Sequence, residues 1–319
     1  MNFQLISPLE GSKNLLDLAF RKAREKSEQK KFIGEWLDRN KRKEARKLDI
    51  IKDVLVSSLE KILRNFPSSK DLPKFYIKLM NLTLDFPEFK RSLGAVNWAA
   101  KRVRLLHKDY ARKIGRTTDG KRIPQLSKEF YGRISSTIKQ INPNLEYLEQ
   151  CRKIMKMYPD IKEMFTVCIY GFPNVGKTTL LNNLTTAKGK VAEYPFTTTG
   201  INVGYLNING SKIQVLDVPG TLARKEKMSN IELQAELVAN ELADLIVFVF
   251  DLSGYCGYPV EKQEQLLQKL GQRDNLLVYL SKTDLPEGKP TPEFKHKYYS
   301  AEELKLKILE KALKTGYGT

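Results

Sequence analysis

Two periodicities divide this 319-residue chain. Over the first half, apolar residues return every three or four positions, the repeat of a helix face. Leu48, Ile51, Leu55, Leu59, Ile62 and Phe66 make one such stripe over 41–66, and Pro67 stops it. The same repeat predicts helices over 15–30, 73–84, 88–114, 127–141 and onward from Pro143 to Tyr158. Ser7-Pro8-Leu9-Glu10 carries the residues of a helix start: a capping Ser, a Pro in the first turn and a Glu three positions on. Residues 1–165 are read as an antiparallel, all-helical bundle. From 166, strand-like runs fall at 166–170, 203–208, 213–217, 245–251, 276–280 and 297–300. Helical patterns at 177–186, 230–242, 259–270 and 301–314 lie between most of them. Asn209-Gly210 is a hairpin turn, which makes 203–208 and 213–217 the antiparallel edge pair. The remaining alternation implies an α/β domain over 166–319 with a doubly wound, mostly parallel six-stranded sheet.

Composition changes this picture little, and charge changes it a good deal. Hydrophobic residues make up 41% of the chain, enough for buried cores. The longest purely apolar run, Leu245–Phe250, is far too short for a membrane span. MNFQLISPLE lacks the charged-then-apolar start of a secretory signal. Cys151, Cys168 and Cys256 have no metal-ligand spacing and read as reduced thiols of a cytoplasmic protein. The net charge of +18 is unevenly spread. Residues 1–165 hold 37 Lys and Arg against 20 Asp and Glu, a net +17; residues 166–319 hold 18 against 17, a net +1. Such asymmetry points to an anionic partner, nucleic acid rather than membrane. Lys101, Arg104, Lys108 and Arg112 fall opposite the apolar face of the 88–114 helix, and the glycine loop beyond adds Arg116, Lys121 and Arg122. A charged helix face is usually just solvated, but the imbalance of 37 to 20 favours an RNA-contacting one.

The chemistry concentrates at 166–180, TVCIYGFPNVGKTTL. An apolar strand runs into Gly171, Pro173, Asn174, Val175 and Gly176, then Lys177, Thr178 and Thr179 open an amphipathic helix. Gly171 and Gly176 allow successive N–H groups to converge on phosphate oxygens, and the helix N-terminus adds its positive dipole end. In this pattern Lys177 reaches the β- and γ-phosphates and the Thr178 hydroxyl ligates Mg²⁺. The hydroxyl-rich loop 189–200, GKVAEYPFTTTG, can place a threonine on that metal when a γ-phosphate is present. Asp217 ends a strand and can hold Mg²⁺ through water, while Gly220 can bring its N–H to the γ-phosphate. Ser281-Lys282-Thr283-Asp284 follows another strand, and the Asp284 carboxylate can accept two hydrogen bonds from the N–H edge of guanine. Ser300-Ala301 ends the last strand, where it either supports the base or simply caps a helix.

GFPNVGKTT, EYPFTTTG, DLSGYCGYPVEKQ and Tyr131-Gly132-Arg133 together resemble the Obg-like GTPases, and among them the nucleolar GTP-binding protein family in a compact, archaeal-like form. The resemblance implies a P-loop GTPase domain and a role in large ribosomal subunit assembly, with ribosomal RNA and a pre-ribosomal particle as partners. It assigns GTP or GDP and Mg²⁺ to Gly171, Asn174, Gly176, Lys177 and Thr178. Thr198 becomes the switch threonine, with Thr197 and Thr199 as alternatives. Asp217 and Gly220 form the second switch, and Lys282, Asp284, Ser300 and Ala301 surround the base. Lys177, Thr198 and Gly220 would serve hydrolysis; Thr178, Thr198 and Asp217 would hold the metal. Two residues depart from the pattern. Ser281 stands where the guanine motif usually has Asn, and Thr221 stands where Ras-like enzymes carry the water-positioning Gln. Slow turnover is therefore expected, with K⁺ held by Asn174 as a candidate activator and dimerisation of the G domain not required. The competing reading is a GTP-gated RNA-binding module with negligible hydrolysis.

Overall fold

The computed structural model describes residues 3–29, 32–67, 72–159, 161–185, 201–208, 210–222, 230–271, 273–290 and 294–315. They fall into two compact units, one of Gln4–Asp71 with Leu84–Lys156, the other of Met1–Phe3, Leu72–Thr83 and Met157–Thr319.

The helices of the first half are α1 (Ser12–Glu28), α2 (Trp36–Asn65), α3 (Lys74–Thr83), α4 (Phe86–Arg116), α5 (Arg122–Gln140) and α6 (Asn142–Met155). Five of them build the first unit. The α2 stripe of Leu48, Ile51, Leu55, Leu59 and Ile62 is buried, as are Val96, Ala99, Val103, Leu106 and Tyr110 of α4. Phe130 of α5 completes the centre, its ring 5.8 Å from that of Tyr110. Asp85 caps α4 by accepting from Glu88 N at 3.0 Å, with Pro87 in the first turn. α5 begins at Arg122, five residues before the expected start at 127, so only 117–121 remains as loop.

The expected helix start at Ser7-Pro8 is corrected by the structure. α1 begins at Ser12, and its N-cap Gly11 makes no side-chain cap hydrogen bond. The partners come from α6: Asn142 Oδ1 accepts from Ser12 N at 3.0 Å and Glu149 Oε2 accepts from Leu9 N at 3.0 Å. Arg152 in turn donates to the Ile6 carbonyl. A local capping box loses here to long-range partners on α6 that hold residues 6–11 outside the helix.

α3 also departs from the linear reading, in which everything before 166 belongs to one bundle. Phe75, Tyr76, Leu79 and Met80 are buried. The Tyr76 hydroxyl donates to the Pro159 carbonyl at 2.7 Å and accepts from Ile161 N at 3.0 Å. Lys78 pairs with Glu241 at 2.5 Å. α3 therefore packs within the second unit.

That unit continues as β1 (Thr166–Tyr170), α7 (Lys177–Leu184), β2 (Asn202–Ile208), β3 (Ser211–Asp217), α8 (Asn230–Glu241), β4 (Leu245–Asp251), α9 (Val260–Leu270), β5 (Leu276–Ser281), β6 (Tyr298–Tyr299) and α10 (Ala301–Lys314). The six-stranded sheet has the order β2-β3-β1-β4-β5-β6, parallel except for β2 against β3. β1, β3 and β4 are buried along almost their whole length, as their apolar runs require. β1 sits where the order reverses: the chain leaves it for β2 and β3 on one side and returns to β4 on the other. In open α/β sheets that point opens a crevice outside the carboxyl ends of the strands. Among the described residues, no helix is long and apolar enough to cross a membrane.

Candidate nucleotide site

The turn between β1 and α7 lies in that crevice. Gly171 has φ +152, and a Cβ there would sit 2.8 Å from the Val249 carbonyl of β4. Both facts exclude a side chain. Asn174 takes φ +60, a conformation Asn tolerates better than most residues, and Gly176 caps α7. Val175 is fully buried, so its contribution to an anion is its backbone N–H. Pro173 has no N–H to give. Gly220, just beyond β3, lies so close that a Cβ would strike the Pro173 backbone. Thr221 N donates to the Gly171 carbonyl at 3.1 Å. The second-switch segment is thus laced directly to the phosphate loop.

Lys177 is 7% exposed, and its Nζ donates to the Phe172 carbonyl at 2.6 Å. Burial pushes its ammonium down to about 8, against the opposing pull of Asp217. The Thr178 hydroxyl donates to Asp217 Oδ2 at 2.6 Å, and Asn202 Nδ2 donates to the same oxygen at 3.0 Å. Burial raises the Asp217 carboxyl, and these two donors with Lys177 oppose the rise. A hydroxyl and a carboxylate this close are hard oxygen donors suited to Mg²⁺. Thr178 and Asp217 would hold the ion, which when bound neutralises charge on the phosphates. Asn202 was not visible as a site residue in the sequence, because nothing marks a strand-opening Asn as a carboxylate's partner. Thr198, Thr197 and Thr199 lie outside the described residues.

On the other side of β1, Lys282 adopts φ +54 and its Nζ meets Asp251 Oδ2 at 2.6 Å. Asp251, at the end of β4, is fully buried and also accepts from Ser253 N at 3.0 Å and Cys256 N at 2.7 Å. Burial raises its carboxyl, and the Lys282 and Ser253 hydrogen bonds outweigh that and leave it below its ordinary value. Gln263 of α9 bonds both the N–H and the carbonyl of Asp251, at 2.9 Å each. DLSGYCGYPVEKQ thus clamps the loop that carries Lys282 and Asp284, a contact its sequence does not reveal. Asp284 is exposed two residues on. The Ser300 hydroxyl accepts from Glu303 N at 3.2 Å in a complete capping box that starts α10 at Ala301.

Ser281 differs from what its place in the motif suggests. Its hydroxyl donates to the Phe250 carbonyl at 2.9 Å, within the sheet, and it is 5% exposed. Its Cβ faces Gly176 across the phosphate loop. Asn at this position would reach further toward that loop. Ser281→Asn is expected to tighten GTP binding about threefold to tenfold, the net worth of one added hydrogen bond. Calorimetric titration checks this; an unchanged or weaker affinity shows that the pocket has closed around serine.

A phosphate loop at the switch point, a Thr–Asp pair beside it and a Lys–Asp motif at the next strand end define the class: this is a P-loop GTPase with a helical N-terminal half. Residues 166–282 match the family description 50S ribosome-binding GTPase, and residues 3–162 match the NOG1 N-terminal helical domain. The chain belongs to the nucleolar GTP-binding protein 1 family. A protein of Methanocaldococcus jannaschii is 40% identical over 78% of this chain and 71% of its own length. Nucleolar GTP-binding protein 1 of Drosophila melanogaster is 31% identical over 92% of this chain. The chain spans 46% of that protein's length. Among solved structures, the G domain of the T. maritima FeoB iron transporter is 29% identical, with a TM-score of 0.38 over 47% of this chain and 99% of its own.

Proposed function

We propose that this GTPase hydrolyses GTP slowly and acts in the cytoplasm as an assembly factor for the large ribosomal subunit, held to ribosomal RNA by its basic helical half. The observation that carries the reading is the coexistence of a formed phosphate loop with a net charge of +17 on residues 1–165. The matched description of residues 166–282 names a ribosome-binding GTPase, which agrees with it. Mg²⁺ would sit on Thr178 and Asp217 with Thr198 joining in the GTP state. The rival reading, an RNA-binding module gated by GTP with negligible cleavage, draws support from Thr221. That residue is 1% exposed and so cannot orient an attacking water as Gln does.

Single-turnover cleavage of GTP, with and without large ribosomal subunits, separates the two. Stimulation by subunits is expected; no cleavage in either condition favours the gated module. Asn174 is exposed at the tip of the loop, where a K⁺ held by its side chain would stabilise charge developing on the phosphates. Cleavage with subunits present is expected to be at least about tenfold faster in K⁺ than in Na⁺ and to lose that difference in Asn174→Ala. Equal rates in the two salts would remove the cation from the mechanism.

The structure sorts the basic residues. Arg104 is paired with Glu60, Arg112 and Lys113 share Asp109, and Arg122 meets Glu129. Lys101, Lys108, Arg116 and Lys121 have no carboxylate partner among the described residues and are the better phosphate contacts. Four such contacts give a log–log salt slope of roughly −3. Charge reversal of Lys101 and Lys108 in the full chain is expected to flatten it by about two, with GTP affinity unchanged. Filter binding to large-subunit RNA across a salt series tests this, and an unaltered slope would mean that this face is merely solvated.

A further inference from the structure

Between α4 and α5, within the first unit, lies a groove of about 290 Å³ that the nucleotide site does not use. Trp98, Arg102 and Leu106 of α4 line one side; Arg133, Thr137 and Gln140 of α5 line the other. Spacings of three and four put each set in one row along its helix, so the two rows face each other. Leu106 and Thr137 are buried and form the floor. Trp98 is 43% exposed, so part of its indole is open to the groove. Arg102 and Arg133 are exposed, and neither pairs with a carboxylate among the described residues. Their neighbours Arg104 and Arg112 both do. Two unpaired guanidiniums on one small groove concentrate positive potential there.

These groups are complementary to one kind of ligand. A flat indole face takes a planar ring. Guanidiniums take phosphates in a bidentate manner. Gln140, with Ser136 beside it, offers donors and acceptors to the edge of a base. The volume admits a single nucleotide and is far too small for a duplex. A paired base has its faces covered by its neighbours, so only an unstacked one can lie against Trp98. We propose that this groove captures one unpaired nucleotide of an RNA loop or bulge, stacked on Trp98 with its flanking phosphates on Arg102 and Arg133. The proposal rests on the RNA-binding reading of the helical half and adds to it. The unpaired lysines supply sequence-independent attraction, and the groove selects a single-stranded feature within a folded RNA.

The full chain has two tryptophans, so Trp36→Phe leaves Trp98 as the sole indole reporter. The probes are a single-stranded oligoadenylate of about 12 nucleotides and the same strand paired with oligouridylate. The single strand is expected to quench Trp98 emission saturably, and the duplex is expected to bind without quenching. In filter binding, Trp98→Ala should weaken the single strand roughly tenfold at unchanged salt slope and leave the duplex unaffected. Arg102→Glu with Arg133→Glu should weaken it and also flatten the slope by about two. RNA retained by the parent protein with Trp98 emission unmoved overturns the groove and leaves the RNA-binding reading standing. No retention of either RNA at low salt overturns both. Equal quenching by duplex, or by polyglutamate as well as by RNA, also overturns the assignment, the latter in favour of an acidic protein partner.

Discussion

Asp284→Asn is expected to lower GTP affinity about a thousandfold and to raise affinity for xanthosine triphosphate. Asp284 is exposed, two residues past a Lys282 fixed at φ +54. Its carboxylate is the group of this motif able to accept from both N–H donors on guanine's edge. Two charged hydrogen bonds contribute about 3–6 kcal/mol together, and a site built on them rejects a base that cannot complete them. The amide of Asn presents an N–H to the base, which complements the 2-oxo group of xanthine. Lys177 and the phosphate loop are untouched, so triphosphate binding as such survives. Titrations with GTP, xanthosine triphosphate and ATP on both proteins decide the matter. Parallel losses for all three would remove Asp284 from base recognition, as would equal GTP and ATP affinity in the parent.

Asp251→Ala is expected to destabilise the G unit by about 3–5 kcal/mol. This residue lies behind Lys282, and its fully buried carboxylate accepts from Lys282, Ser253 and Cys256. Alanine strands the Lys282 ammonium, whose side chain is 25% exposed, beside two backbone N–H groups without acceptors. Breaking such a pair costs more than the pair contributes, because the remaining charge stays desolvated. In a unit of this size the loss lowers the unfolding temperature by about 10 °C. GTP affinity should fall with it, since the clamp holds the backbone that carries Asp284. Asp251→Ala combined with Lys282→Met removes both charges but leaves the Ser253 and Cys256 N–H groups unpaired, so it should recover part of the stability and none of the nucleotide affinity. Thermal unfolding without nucleotide is the measurement. A shift of the single variant below about 2 °C, less than 1 kcal/mol in a unit of this size, would show that Ser253 and Cys256 find other partners.

The sequence alone determined the order of strands and helices, the parallel sheet with β2 antiparallel at its edge, and the place of the phosphate loop. Each depends on information a few residues long. Period 2 or 3.6 is set by the backbone, and the spacing of Gly171, Gly176, Lys177 and Thr178 is fixed because one turn must wrap one phosphate. The basic surplus of 1–165 was legible too, since net charge needs no geometry. Partnership was not legible. Ser7 and Glu10 look like a cap, but Asn142 and Glu149, about 130–140 residues away, set where α1 starts. α3 has the pattern of a bundle helix, and only packing put its buried face in the G unit. The seven cations of the basic face look alike in the sequence; Glu60, Asp109 and Glu129 separate neutralised from free. Asn202 beside Asp217 and Asp251 behind Lys282 are likewise choices of the tertiary structure. A charge or a hydrogen-bonding group carries no address along the chain, and which one it meets is decided when apolar faces close over it and water is excluded.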